Sequence, residues 1–581
     1  MIFTQYYLDC LSHASYLVGD ETSGRAAVID PQRDVSGYLR DAQEHGLTIE
    51  RVIETHVHAD FLSGHLELAA RTGAVISYGA AADLGFAIDP LTDDQHLSLG
   101  EVDLEVRATP GHTPESISVV VRAHAGDEPP YGVLTGDTLF IGAVGRPDLL
   151  ASAGVAPDTL ARQLYRSLHT RLLTLPDATR VFPAHGAGSA CGKNLSTETQ
   201  STIGEQRRTN YAVQPMSEDE FVALITEGQP LQPQYFSFDA RQNREAHELL
   251  DDQTPPEALD LDEVVAVQCD DAVVLDTREP IDFAAGHLRG SVNVGLQGRF
   301  AEFTGDVLGP DRPIVLVTDP GRELEAKVRL ARIGFDRVVG VLAEPLHAFL
   351  DCPDVVERSS RVTMEQLAEL RGDPELQVID VRNPGETEAG ILPDALEVPL
   401  PNLVGALDRL DRHRPTVVYC ASGYRSSIAA SVLGAAGFAD VSDLLGGFEG
   451  WRAAGLPADR PLDHDGAMPE RNVPTVDPAE GQALAERGAF LLDVREPDEW
   501  VAGHAPGSTH LPMKEVQARQ AELPKDRRIV TVCRSGGRSA AVTEALNAWG
   551  FEAVNLAGGL AAWEEAGLPV VTDDGAPGTV A

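Results

Sequence analysis

A repeat constrains this chain more than any other feature. VLDTREPIDFAAGHLRGS from Val274, VIDVRNPGETEAG from Val378 and LLDVREPDEWVAGHAPGS from Leu491 are copies of one segment. Each opens on a short apolar run that ends in Asp276, Asp380 or Asp493. Such a run reads as a buried strand feeding a loop. A second apolar run follows in each copy, as PIVLVTDPGRE, PTVVYCASGYRSS and RIVTVCRSGGRSA, and Ala-rich, helix-like segments come next. Strands alternating with helices imply a parallel sheet with helices on both faces. The period of about 100–110 residues suits three small α/β domains, at roughly 259–357, 358–465 and 466–581. The Pro- and Asp-rich RPLDHDGAMPERNVP reads as a linker between the last two.

Residues 1–258 lack the repeat. Short strands such as AAVID and RVIET, separated by Gly, Asp and His loops, predict one larger α/β unit. From Ser217 to Asp271 there are 15 acidic residues and two Arg; this stretch reads as the solvated end of that unit plus a linker. The length, 581 residues, suits three to five domains. No run of about 18 apolar residues occurs, so no membrane span is expected. MIFTQYYLDC lacks a basic start and an apolar core, so no signal peptide is expected and the chain is read as cytoplasmic. A net charge of −44 argues against nucleic acid and anionic lipid as partners.

The six cysteines form no CxxC pair, so neither a zinc ribbon nor a disulfide framework is suggested. Cys10 and Cys269 read as structural. Cys420 opens CASGYR and Cys533 opens CRSGGR, each between an apolar strand and a helix, and each loop closes on an arginine, Arg425 or Arg538. Such a loop wraps backbone N–H groups around the sulfur. The positive end of the following helix and the arginine favour thiolate over thiol. The result is a nucleophile able to hold a terminal sulfur atom as a persulfide.

These residues resemble the rhodanese family. The DVRxPxE opening, the six-residue Cys-to-Arg loop and the endings GGFEGWRAAGLP and GGLAAWEEAGLP carry the resemblance over both C-terminal copies. It implies a sulfurtransferase with Cys420 and Cys533 as sulfur carriers. Related phosphatases use a loop one residue longer to hold phosphate; the shorter loops here favour sulfur. The first copy departs: TDPGRE puts Thr318 in the cysteine's place and Arg322 one position early. That domain is expected to keep the fold without the chemistry, with Cys352 structural and a spacer or docking role.

The first unit carries a different pattern. THVHADF supplies His56, His58 and Asp60, TPGHTPES supplies His112, LTGDTLF supplies Asp137 and FPAHG supplies His185. Alternate residues of an extended stretch point the same way, and each motif breaks an apolar run, which places it on a loop at a sheet edge. His13, His45 and His96 have no such context. His65, in FLSGHLELAA, is expected on the helix after the first motif, with a place behind the ligands as the lesser alternative.

These motifs resemble the metallo-β-lactamase superfamily over about 200 residues, which implies an αββα sandwich with metal at one edge. Two-metal hydrolases of that superfamily, such as glyoxalase II, continue HxHxDH; here Phe61 takes the last position, and a phenyl ring cannot ligate. A second site would keep only Asp60, His185 and the shared Asp137, so one metal is expected. Two sets stay open. His56, His58 and His112 would make a zinc site with an open position. His56, His112 and Asp137 would suit non-haem Fe(II) that binds substrate and dioxygen together. The wording of THVHADF, TPGHTPES, GRPDL and HGAGSACGKNLSTETQSTIGEQRRTN resembles the persulfide dioxygenases. That resemblance implies one Fe(II) held by His56, His112 and Asp137, with His58, Asp60 and His185 orienting ligands and water from behind. Cys191, six residues after His185, either approaches the metal pocket and relays persulfide or is a loop thiol beside Lys193.

The expected fold is thus α/β multidomain, a metallo-β-lactamase sandwich followed by three rhodanese-like domains with parallel sheets. The expected function is oxidation of a low-molecular-weight thiol persulfide by dioxygen to sulfite plus thiol, coupled to sulfur transfer involving thiosulfate. The alternative is a zinc-dependent glyoxalase II-type thioester hydrolase. Relatives of the iron domain often self-associate, so a homo-oligomer is expected.

Overall fold

Alternation of side chains along the N-terminal strands builds two facing sheets, each of six strands. In strand His13–Asp20, residues Ala14, Tyr16 and Val18 face a core shared with Leu104 and Val106 of strand Asp103–Ala108 and with Val119 and Val121 of strand Ile117–Arg122. Leu17 of the same strand points the other way, onto Tyr38 and Ala42 of helix Ser36–Glu44 and Leu68 of helix His65–Thr72. On the far side, Val120 and Val133 pack under Ala161 and Leu164 of helix Pro157–Ser167. The period of two thereby fills both faces of each sheet, and the layers read αββα. The structure, a computed structural model, describes the chain except for residues 150–153, 194, 230, 389, 459–473, 496, 514–515, 517–518, 526, 535–536, 573–577 and 580–581. The expected linker after Asp459 lies outside the described residues but for Pro474.

Each repeat copy forms a five-stranded parallel sheet, and the strand order is the same in all three. In the second copy that order is Ser360–Val362, Val441–Leu444, Thr416–Tyr419, Gln377–Asp380 and Leu396–Glu397. The repeated Asp is explained by a buried bidentate pair two residues long. Arg278, Arg382 and Arg495 each reach back to Asp276, Asp380 and Asp493, at 2.5, 2.6 and 2.8 Å. Both partners are out of water, where a paired charge holds and an orphaned one costs several kcal/mol, about 3–5.

The chain divides into two compact units, Met1–Thr387 with Ala395–Pro457, and Glu388–Asp394 with Ala458–Ala581. Within the first unit the cysteine-less copy packs on the N-terminal sandwich. Leu62 N–H donates to Arg332 O at 2.7 Å, and Arg33 donates to Ala331 O at 3.1 Å and pairs with Asp336 at 2.5 Å. It also packs on the second copy, where Ser431 Oγ accepts from Asn293 N–H at 2.9 Å and Tyr424 donates to Gly295 O at 2.6 Å. Among the described residues no helix is long and apolar enough to cross a membrane.

Candidate active sites

Strand ends bring the metal motifs together. His56 and His58 follow strand Thr48–Ile53, His112 follows Asp103–Ala108, Asp137 follows Gly132–Gly136, and His185 follows Arg180–Pro183. All of these side chains are buried. His56, His112 and Asp137 bring one ligand atom each to within 4.8 Å of one another. Asp137 Oδ2 lies 3.8 Å from His56 Nε2 and 3.5 Å from His112 Nε2. His56 Nε2 and Asp137 Oδ2 have no hydrogen-bond partner. Buried polar atoms are rarely left so, and orphaned donor atoms that converge fit a divalent metal.

The other ring nitrogens are committed. His112 Nδ1 donates to Arg146 O at 2.8 Å. Thr55 Oγ1 gives its proton to Asp30 at 2.9 Å and therefore accepts from His56 Nδ1 at 3.0 Å. Both histidines thus present Nε2 to the cluster. Burial, reinforced by the neighbouring histidines, pushes the His56 pKa well down, so the ring is neutral and able to ligate. The GRPDL motif serves the same loop. Gly145 passes so close that a Cβ there would stand 1.9 Å from Asp137 O, and Arg146 is clamped on Asp148 by two bonds of 2.7 Å.

His58 turns away from this cluster. Its Nε2 lies 3.2 Å from Asp30 and 3.4 Å from Glu54, and Glu54 also meets His65 Nδ1 at 3.2 Å. Burial opposes a charge on His58, but Asp30 and Glu54 outweigh it and lift its pKa to about 10. His65 thus lies on the helix after the motif and meets His58 through their shared neighbour Glu54. His185 bridges Asp60 and Asp137, at 2.7 Å to each. Against burial, these carboxylates hold its pKa well above the usual value. Phe61 is buried against this second group, its ring 4.4 Å from His58 and 4.0 Å from His13.

Several neighbours escaped the sequence reading. His13, set aside for want of a motif, lies 5.5 Å ring to ring from His185. Asn243 staples the metal loop: its amide donates to His58 O at 2.9 Å and Phe61 O at 2.8 Å, and its carbonyl accepts from Ser63 N–H at 2.9 Å. The acidic stretch around it was read as solvated chain and linker. Instead it forms helices Glu218–Thr226 and Phe236–Gln242, with Phe221, Ile225 and Phe236 buried. Phe236, Arg241 and Arg244 join Val57, His112 and Leu149 around a cavity of about 130 Å³ beside the cluster. The aromatic spacing FVALI and YFSF was the available signal.

Cys191 does reach the metal pocket. Its sulfur comes within 4.8 Å of ligand atoms of Asp137 and His185. Burial, then the charges of Asp60 and Asp137, push its thiol well above the usual value. Lys193 points elsewhere, onto Leu224 O and Glu227 O. Cys269 and Cys352, expected to be structural, are exposed, and Cys10 is half-buried beside Arg332.

The cysteine loops are built alike. Cys420 and Cys533 are buried at the ends of their strands. Gly423 N–H donates to Cys420 Sγ at 3.1 Å, and Ser539 donates to Cys533 Sγ at 3.3 Å. Arg425 grips Glu386 by two bonds of 2.6 Å, and Arg538 grips Glu499 at 2.7 and 2.6 Å. The glutamate of DVRxPxE is therefore the partner of the loop arginine. The Gly-Gly turn closes over the loop: Phe448 and Leu560 N–H donate at 2.8 Å to the Cys420 and Cys533 carbonyls. Gly447 (φ +55°) and Gly559 (φ +58°) lie so close that a Cβ would stand 2.4 and 2.3 Å from those oxygens. In the first copy, Asp276 pairs with Val317 as Asp380 does with Tyr419 and Asp493 with Val532, so Thr318 occupies the cysteine's place. Its Arg322 holds Glu325, at 2.5 and 2.8 Å.

Two facing sheets with a buried histidine–carboxylate cluster at one edge define the metallo-β-lactamase superfamily, and the chain belongs to it, with three rhodanese-like domains behind. The metallo-β-lactamase superfamily model matches residues 8–185, and the rhodanese-like domain matches 260–352, 363–454 and 477–566. Human mitochondrial persulfide dioxygenase ETHE1 is 33% identical over 232 residues, which cover 39% of this chain and 80% of that protein. A probable metallo-hydrolase of Burkholderia pseudomallei (strain 1710b) is 33% identical over 246 residues, covering 36% of this chain and 81% of that one. The crystal structure of a metallo-β-lactamase from Staphylococcus aureus subsp. aureus COL superposes with a TM-score of 0.53 at 34% identity, covering 58% of this chain and 98% of that one. The persulfide dioxygenase relatives and the rhodanese-like domains together support a fusion for sulfur metabolism.

Proposed function

We propose that the N-terminal domain oxidises a low-molecular-weight thiol persulfide with dioxygen, and that Cys420 and Cys533 carry sulfane sulfur to or from thiosulfate. The net reaction at the first site is RSSH + O2 + H2O → RSH + SO3²⁻ + 2 H⁺. The observation that carries this reading is the donor set of His56, His112 and Asp137, buried and lacking hydrogen-bond partners at His56 Nε2 and Asp137 Oδ2, beside a second group, His58, Asp60 and His185, on which Phe61 packs where a further ligand would stand. Two imidazoles and one carboxylate suit one Fe(II) per domain. Fe(II) held there would supply the redox chemistry that joins dioxygen to the terminal sulfur.

The chain's own residues do the rest. Thr55 and Arg146 O fix the tautomers of the two histidines. Asp60 and Asp137 hold the His185 ring in place. Val57, Leu149 and Phe236 give the cavity apolar walls, while Arg241 and Arg244 offer cations to the carboxylates of a carrier thiol. At the rhodanese loops the cysteine thiolate attacks the outer sulfur of thiosulfate; the Sγ–S bond forms, the S–S bond of thiosulfate breaks, its electron pair leaves on sulfite, and the persulfide is held among the backbone N–H groups. Four domains divided near residues 258, 357 and 465 fit this division of labour, with the second lacking the chemistry.

The test is dioxygen uptake by anaerobically Fe(II)-loaded protein given glutathione persulfide, with sulfite measured alongside. Uptake matched by sulfite is expected. Hydrolysis of S-lactoylglutathione without dioxygen use overturns the reading in favour of the zinc hydrolase.

A further inference from the structure

Cys420 opens onto a cavity of about 420 Å³. A sulfur atom and a sulfite group need a small fraction of that space; small organic ligands occupy pockets of about 300–1,000 Å³. The walls come from three parts of the first unit. The second copy supplies the Cys420 loop with Tyr424 and Arg425, and the N-terminal domain supplies Gly188–Ala190. The cysteine-less copy supplies Arg299 and, from helix Phe300–Val307, Glu302, Phe303 and Asp306.

Most charges here are already answered. Arg425 is held by Glu386, and Arg299 by Glu302 and by Gly188 O at 2.6 Å. Asp306 is different. It is 4% exposed, it lines the cavity, and its Oδ1 has no hydrogen-bond partner. Leaving such an atom dry and unpaired costs about 1–3 kcal/mol, so the position implies a polar ligand group.

We propose that this cavity holds the organic part of a low-molecular-weight thiol that exchanges sulfur with Cys420, and that Asp306 of the cysteine-less copy determines specificity by hydrogen-bonding the thiol's amide or carboxyl groups. The inference rests on the reading of Cys420 as a sulfur carrier. Burial, with Glu302 next, pushes the Asp306 carboxyl well above the usual range, so it can donate a proton to a ligand carbonyl or carboxylate. In the exchange, the thiolate of the bound carrier attacks the outer sulfur of the Cys420 persulfide. An RS–S bond forms, the Sγ–S bond breaks, and its electron pair returns to Cys420 as thiolate. No external oxidant or reductant is needed. The copy that lost its own cysteine thereby becomes the reading wall of its neighbour's.

The test uses the full chain with Cys533→Ser, so that Cys420 is the remaining carrier, and thiosulfate as donor. Two acceptors are compared: glutathione, which needs the cavity, and cyanide, which does not. In Asp306→Ala the ratio of KM for glutathione to KM for cyanide is expected to rise about tenfold, the scale of one lost hydrogen bond. Asp306→Asn, which keeps a donor of the same shape, is expected to restore most of it. A ratio unchanged in Asp306→Ala, or equal losses with both acceptors, overturns the proposal. If the Cys533→Ser parent transfers sulfur to neither acceptor, the carrier reading of Cys420 falls instead, and this inference with it.

Discussion

At the scale of the residue, the proposed metal centre depends on which nitrogen each histidine commits. His56 and His112 spend Nδ1 on the protein and turn Nε2 to Asp137, whereas His58 turns Nε2 toward the carboxylates of Asp30 and Glu54. His112→Ala is therefore expected to lose nearly all bound iron, while His58→Ala keeps a measurable share; metal analysis after anaerobic loading separates the two. Losses of equal size would put His58 among the ligands. Asp239 gives a pH-dependent case. It is fully buried, neither oxygen has a partner, and burial, then the Asp60 charge, push its carboxyl well above the usual range. The folded chain thus keeps a proton that the unfolded chain releases near pH 4, about the ordinary value. Stability from this group is present below that pH and is lost as pH rises toward the folded value. Asp239→Asn is expected to raise the unfolding temperature at about pH 8, with the gain shrinking toward about pH 4. Thermal unfolding across that range checks the sign.

At the scale of the element, the cysteine loop and the Gly-Gly turn act as one piece. Gly447→Ala puts a methyl group 2.4 Å from the Cys420 carbonyl and adds about 1–2 kcal/mol for a left-handed backbone. In the Cys533→Ser background it is expected to cut sulfur transfer at least about tenfold, read as thiosulfate-to-cyanide turnover; full activity would show that the turn only packs. Repeated motifs such as DVRxPxE, CASGYR and GGFEGW were legible because each residue in them answers to another in the same motif set: Asp380 to Arg382, Glu386 to Arg425, Gly447 to Cys420. The HxHxD, GHT, GD and AHG motifs were legible for the same reason, since strands end at one edge. Asn243, His13 and Glu54 were not, because they act through contacts between segments far apart in sequence. The stretch from Ser217 misled through its charge: Glu218, Asp219 and Glu220 lie toward solvent on a helix whose Phe221 and Ile225 are buried, and Asp239 of the next helix is itself buried beside Phe236.

At the scale of the whole molecule, the proposed modules share a chain but not a mechanism. The double variant Cys420→Ser, Cys533→Ser is expected to abolish sulfur transfer and to leave sulfite formation from glutathione persulfide within about twofold. Loss of sulfite formation would mean that the sites are coupled. The net charge of −44 repels itself in the folded state. Added salt screens that repulsion, so the unfolding temperature is expected to rise between low and moderate ionic strength.

The closing segments of the second and third copies bury a tryptophan apiece, Trp451 donating to Pro457 O at 2.7 Å and Trp563 to Pro569 O at 3.0 Å. The other two indoles of the chain are Trp500 and Trp549, so the first 450 residues contain none. Indole fluorescence thus illuminates the cysteine-bearing copies and leaves the metal domain dark. A spectroscopist can follow sulfur loading of the cysteine-bearing copies without indole emission from the metal domain.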